Sequence, residues 1–174
     1  MTSTDRLTGS DTQTDRNRER AAVLALGTEN CSIAGTLDAL GDNWSILVLR
    51  ELFFGVHRFN ELQRDLGISR SVLTERLARL VDLGVVRVTP YQEPGDRARN
   101  EYRLTRKGVD LLPVMVSLMS WGDQHVNGDG GGGGGGPVML HDRVSGEPVR
   151  LEMRTPSGRL VAPNEMEPRA RRRT

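Results

Sequence analysis

At 174 residues the chain holds one domain of ordinary size with tails, and hardly two. A formal net charge of +1 excludes a protein coated in positive charge, and a single cysteine excludes an intrachain disulfide and fits a reducing compartment. The polar start MTSTDRLTGSDTQTDRNRER has no apolar signal core, and no apolar run approaches a membrane span, so a soluble, cytoplasmic protein without membrane contact is expected.

Residues 1–28 are rich in Thr, Ser, Asp and Arg and poor in large apolar side chains. Burial there cannot offset the cost of ordering, so a flexible N-terminal arm is expected. The folded body is expected over residues 29–126. In it, IAGTLDAL reads as a short apolar helix stopped at Gly41, and Asp42 reads as the cap of NWSILVLRELFFG. That second helix is apolar nearly all round, with Trp44, Ile46, Leu47, Leu49, Leu52 and Phe53, and should form the buried centre. HRFNELQRDLG sets Phe59, Leu62 and Leu66 on one stripe and stops at Gly67. In GISRSVLTERLARLVDLGVV, Ser69 stands where a cap belongs, and Leu73, Leu77 and Leu80 mark a buried stripe running up to Gly84.

After Gly84 the period changes. VVRVT (85–89) and EYRLT (101–105) read as two strands of a hairpin with a long, turn-rich tip. Thr105 then caps a last helix, in which Pro113 removes a backbone donor and predicts a kink or break. Residues 127–136, NGDGGGGGGG, form a flexible linker by composition; no Lys-Ser/Thr follows, so they do not make a phosphate-cradling loop. Residues 137–174 hold two alternating runs around TPSG, which suggest a small β-hairpin, and end in RARRRT, which either attracts phosphate or is merely solvated.

The expected fold is therefore mainly α with a small β-hairpin. Two helices joined by LGIS, with a hairpin directly after the second, form a winged helix-turn-helix. It is flanked by the flexible arm and by a short β-rich C-terminal extension. Charge is distributed to match: Arg70 to Lys107 carries nine basic against five acidic residues, net +4, leaving −3 for the remainder. With the three leucines turned inward, Arg70, Ser71 and Thr74 occupy the outer leading face, where the second helix of such a motif meets the major groove, and these three together with Ser69 are candidates for DNA contact. A solvated polar face is the plain alternative. Arg76 and Arg79 are further candidates, either for DNA or for pairing with Glu75 or Asp82.

The hairpin places Arg97, Arg99 and Arg103 on a wing suited to backbone or minor-groove contact, with Asp96 and Glu101 as competing local partners. Arg58 opens the first helix of the motif, where a guanidinium and free backbone N–H groups jointly suit a phosphate; a tether to Glu61 is the alternative. His57, His125 and His141 are scattered, and with one cysteine there is no standard zinc spacing. No catalytic triad spacing or phosphate loop is legible, so a binding protein without an enzyme's chemistry and without a cofactor is expected.

Several linked pieces resemble the HxlR family of bacterial winged-helix transcriptional regulators: Cys31 ahead of the first helix, then GDNW, RFNEL, GIS with LTERL, LGVV and YRLTRKG. The resemblance covers roughly residues 31–121. It implies a cytoplasmic homodimer on a palindromic operator, acting as repressor or activator, with double-stranded DNA as partner and an unidentified small-molecule effector as a further candidate. It also implies a dimer built by the first and last helices, here Ile33, Leu37, Leu111, Met115, Leu118 and Trp121; closure of the monomer core is the alternative role for these side chains. In some relatives a cysteine at the place of Cys31 senses oxidants or electrophiles, and a small apolar filler is the other reading. The competing function is a winged-helix interaction or dimerisation module that binds no operator.

Overall fold

The computed structural model describes residues 8–25, 27–95, 97–126 and 136–170. Most of the Gly-rich linker falls outside the described residues, as do Asp96 and the last four residues of the basic tail. By its internal contacts the chain divides into two bodies, Ala39–Leu151 and Met1–Asp38 with Glu152–Thr174.

In the larger body, each helix begins and ends where its side chains satisfy the exposed backbone groups. Helix α3 (Asn43–Phe53) starts because the Asp42 carboxylate accepts the Ser45 N–H at 3.1 Å. Its Val48, Leu49 and Leu52 are buried at the centre of the core. Helix α4 (Phe59–Leu66) buries Leu62 and ends at Gly67, whose φ of +64° is the left-handed turn that glycine adopts without a Cβ penalty. Helix α5 (Arg70–Asp82) follows at once, with the Ser69 hydroxyl accepting the Val72 N–H. Leu73, Leu77 and Leu80 are at most 1% exposed and pack on α3 and on Val85 and Val86. Each such buried leucine contributes about 1.5–3 kcal/mol, so this stripe fixes which way α5 is rolled.

The hairpin pairs β1 (Val86–Tyr91) with β2 (Arg99–Leu104), antiparallel, from Val86 opposite Leu104 to Tyr91 opposite Arg99. Both strands run two residues further into the tip than the alternating pattern indicates, and they include Pro90, paired with Asn100. A strand at a sheet edge tolerates a residue with no N–H. The other edge of β2 is bonded to the segment before α4, where the Tyr102 N–H donates to the His57 carbonyl at 2.8 Å. The wing is thereby stitched to the first helix of the motif.

Below the wing, Thr105 joins three elements. Its hydroxyl donates to Gly84 O at 2.7 Å and accepts the Gly108 N–H, capping helix α6 (Arg106–Val109). Lys107 Nζ donates to Leu83 O at 2.7 Å. A Cβ on Gly108 would lie 2.3 Å from Val85 O, so no larger residue fits there without a shift. The break expected near Pro113 falls just before it: α6 ends at Val109 and α7 (Leu112–His125) begins with the proline in its first turn.

In the smaller body the structure departs from the expected arm. Residues 8–24 form helix α1 (Thr8–Leu24). The lack of large apolar residues goes with a lack of burial, since the described side chains of α1 are mostly exposed. Helix formation there rests instead on local propensity, from Arg, Glu, Ala and Leu over its second half, with an Arg18–Asp15 pair one turn apart. Helix α2 (Ser32–Leu40) matches the expected IAGTLDAL and ends with Leu40 in the core of the larger body. The C-terminal extension is likewise less regular than a hairpin. In the smaller body the turn at TPSG is closed by a single bridge, Arg154 to Leu160, and in the larger body an earlier turn is closed by His141 to Pro148, each without a continuous ladder. Proline donors are missing in both stretches, and Val149, Leu151 and Leu160 stay exposed, so no apolar face drives longer pairing.

Candidate nucleic-acid interface

The leading end of α5 carries the side chains that the buried stripe leaves outside. Arg70, Ser71 and Thr74 are exposed. The Ser69 and Ser71 hydroxyls share a hydrogen bond at 3.0 Å, and the Thr74 hydroxyl donates to Arg70 O at 2.8 Å, leaving its oxygen as an acceptor. The Arg70 guanidinium stands 4.8 Å above the Phe59 ring. That stacking holds a flexible side chain extended across the start of both helices.

Between this end of α5, the start of α4 and the wing lies an open cleft of about 360 Å³, lined by Arg58, Arg70, Arg99, Asn60, Asn100 and Tyr91 among others. Three guanidinium groups on three elements therefore border one polar cleft. Arg58 is tied across it. It bonds Glu93 at 2.5 Å, lies 4.0 Å from Glu61 and stacks 4.7 Å over Tyr91. The hydrogen bond that it donates to Glu93 holds its guanidinium above the usual arginine value. The expected tether to Glu61 is thus the weaker of two. Arg103 pairs with Glu101 at 2.8 Å, which raises the arginine and lowers the carboxyl from their usual values. Arg97 and Arg99 are exposed at the wing tip.

Arg76 and Arg79, read from the sequence as DNA candidates, are turned onto the protein's own chain. Arg76 is only 20% exposed and bridges Asp42 at 2.6 Å and Glu75 at 2.8 Å, tying α5 to the cap of α3. Arg79 Nε donates to Ala39 O at 3.0 Å, closing the end of α2. Gly41, at φ +94°, makes room for it: a Cβ there would sit 2.8 Å from Arg79 Nε.

The six apolar residues read as a dimer surface divide. Met115 is 6% exposed and Leu111 packs on the core, so these two close the monomer. Ile33 and Leu37 on α2 are exposed, as are Leu118 and Trp121 on α7, where the unforeseen Val114 joins them. Cys31 is half-buried immediately before α2. Among the described residues no group of three His, Cys, Asp or Glu side chains is placed to hold a metal, and no helix is long and apolar enough to cross a membrane.

Sequence reasoning passed over Phe59, Tyr91, Asn60 and Asn100. Phe59 was legible only as a core position and Asn60 only as a polar position of the same helix, while Tyr91 and Asn100 lie in a polar, turn-rich stretch. Their convergence depends on the stitching of β2 to the segment before α4, which no local pattern reveals.

A helix-turn-helix with a two-stranded wing and a cationic cleft between them defines a winged-helix DNA-binding regulator. The chain belongs to the HxlR-like helix-turn-helix family, whose model matches residues 39–129. It is 43% identical over 119 residues to an HTH-type transcriptional regulator of Mycobacterium tuberculosis, covering 68% of this chain and 72% of the relative. Among solved structures it is similar to PA1607, a candidate transcription factor, at 36% identity and a TM-score of 0.67 over 79% of this chain and 92% of the other. A second, PA1374 from Pseudomonas aeruginosa, is similar at 35% identity and a TM-score of 0.54, covering 80% and 92%.

Proposed function

We propose that this transcriptional regulator is a cytoplasmic homodimer that reads a palindromic operator through the leading face of α5. One observation carries the reading. Arg70, Ser71 and Thr74 stand exposed on a helix whose opposite stripe is fully buried, beside a wing that brings Arg99 to the same cleft. Arg70 is suited to a guanine edge through two hydrogen bonds, and Ser71 and Thr74 to phosphates or bases. Arg58, Arg97, Arg99 and Arg103 serve the backbone. Arg76 and Arg79 hold α5 in place and are left out of the contact set. The exposed apolar side chains of α7 and of α2 are the surfaces a second copy covers, and a two-fold pair presents its two reading helices about 34 Å apart.

A mobility shift with DNA from upstream of the chain's own gene tests this. Arg70→Ala lowers preference for that DNA over random duplex by about ten-fold, the worth of one good base contact. Arg99→Ala weakens both alike. No shift at modest salt contradicts the reading, and a reversed pattern assigns the two surfaces wrongly. We extend the proposal to Cys31 as a thiol that responds to oxidants or electrophiles, since it lies at the start of α2 next to the proposed pairing surface. In the same assay a thiol oxidant changes binding by the wild-type chain and leaves Cys31→Ser unaffected; equal responses remove the thiol from the account.

A further inference from the structure

Among the basic residues of the interface, Arg58 has the most elaborate surroundings. Its partner Glu93 lies 35 residues away in the wing tip, so their hydrogen bond spans the two elements between which the cleft opens. Tyr91 lies under the same guanidinium, and Arg70 and Arg99 border the same space. A carboxylate on a guanidinium at the edge of a cationic cleft has the charge and the planar acceptor geometry of the two free oxygens of a phosphodiester.

We propose that Glu93 is an internal stand-in for a DNA backbone phosphate. In the free protein its carboxylate occupies Arg58; on a duplex, a phosphate takes its place and Glu93 turns to solvent. This rests on the DNA-binding reading above. Both partners are substantially exposed, 42% for Arg58 and 51% for Glu93, so no buried charge is uncovered by the exchange. An exposed pair of this kind shifts an equilibrium by no more than about five-fold, within reach of displacement by a polyanion. The Tyr91 face stays beneath the guanidinium throughout, which makes Tyr91 a positioning residue that holds Arg58 toward either acid. Glu93 thereby lowers affinity for any duplex and reduces its dependence on salt.

Fluorescence anisotropy with a mixed-sequence duplex across a salt series tests the exchange, using the full chain as wild type, Glu93→Gln, Arg58→Ala and the double variant. Because both side chains are exposed, all four retain the wild-type melting profile. Glu93→Gln binds about two- to five-fold tighter at low salt. Its log–log salt slope steepens by less than the roughly 0.9 of a whole phosphate contact, because both proteins make that contact and only the competing Arg58–Glu93 pair of the wild type is weakened by salt. The gain disappears when Arg58 is alanine. A gain of equal size without Arg58 means plain charge repulsion, and no gain means that Arg58 meets no phosphate; either result overturns the exchange while leaving DNA binding intact. Absence of salt-dependent binding by the wild type brings down the DNA-binding reading itself, and the exchange with it.

Discussion

At the leading end of α5, Ser69 spends its hydroxyl on the Val72 N–H and so starts the helix, while Ser71 and Thr74 keep acceptors facing outward. Such local arrangements follow from residues three or four apart, and Ser69, Asp42 and Gly67 were all legible as caps for that reason. The near partners Glu61 of Arg58 and Glu75 of Arg76 were legible too, but Glu93 and Asp42 were not, because they lie far away in sequence and only the fold brings them near. His57 shows what such tertiary placement does to a titrating group. Burial, followed by the field of Arg103, holds its imidazole below the ordinary value of 6.5, against the pull of Glu101 and Glu61. A folded-state value below the unfolded one means that the unfolded chain binds the proton more readily. The stabilisation from a neutral His57 is therefore complete above pH 6.5 and is lost as the pH falls through the lower folded-state value. Thermal melts from pH 7.5 down to about 5 are expected to show His57→Gln losing less stability on acidification than the wild type, and parallel losses would remove His57 from the acid response.

Elements with a sustained period were readable in advance: α4 and α5 match the apolar spacing within a residue or two, because each buries a stripe, whereas α3 matches in extent but leaves Trp44, expected in the buried centre, 37% exposed. Elements held by something other than burial were not. Helix α1 forms from local propensity with little buried surface, the strands extend past Pro90 because an edge tolerates a missing donor, and the C-terminal turns lack a face to pair on. The joint below the wing belongs to this scale, since Thr105, Lys107 and Gly108 together fasten α6 to the end of α5. Gly108→Ala places a methyl against the Val85 carbonyl and costs about 1–3 kcal/mol. A urea titration should register this as a lower midpoint with an unchanged slope. A midpoint equal to the wild type would mean that the joint opens freely.

For the whole molecule, the decisive separation is between apolar residues that close the monomer and those left facing out. Period alone put Leu111, Met115, Leu118 and Trp121 on one face; packing divides them, with Met115 inside and Trp121 62% exposed. The cationic cleft was legible as a local excess of arginine and not as a shape. Its outward face and the proposed pairing of two chains make one claim together: two copies of α5 enter successive major grooves. Methylation protection of guanine N7 on operator DNA tests this most directly, because that atom lies in the major groove. The account predicts two protected tracts centred about one helical turn apart, with a guanine in each tract losing protection in Arg70→Ala. Guanines left equally reactive with and without the protein, or a protection pattern unchanged by Arg70→Ala, would contradict it.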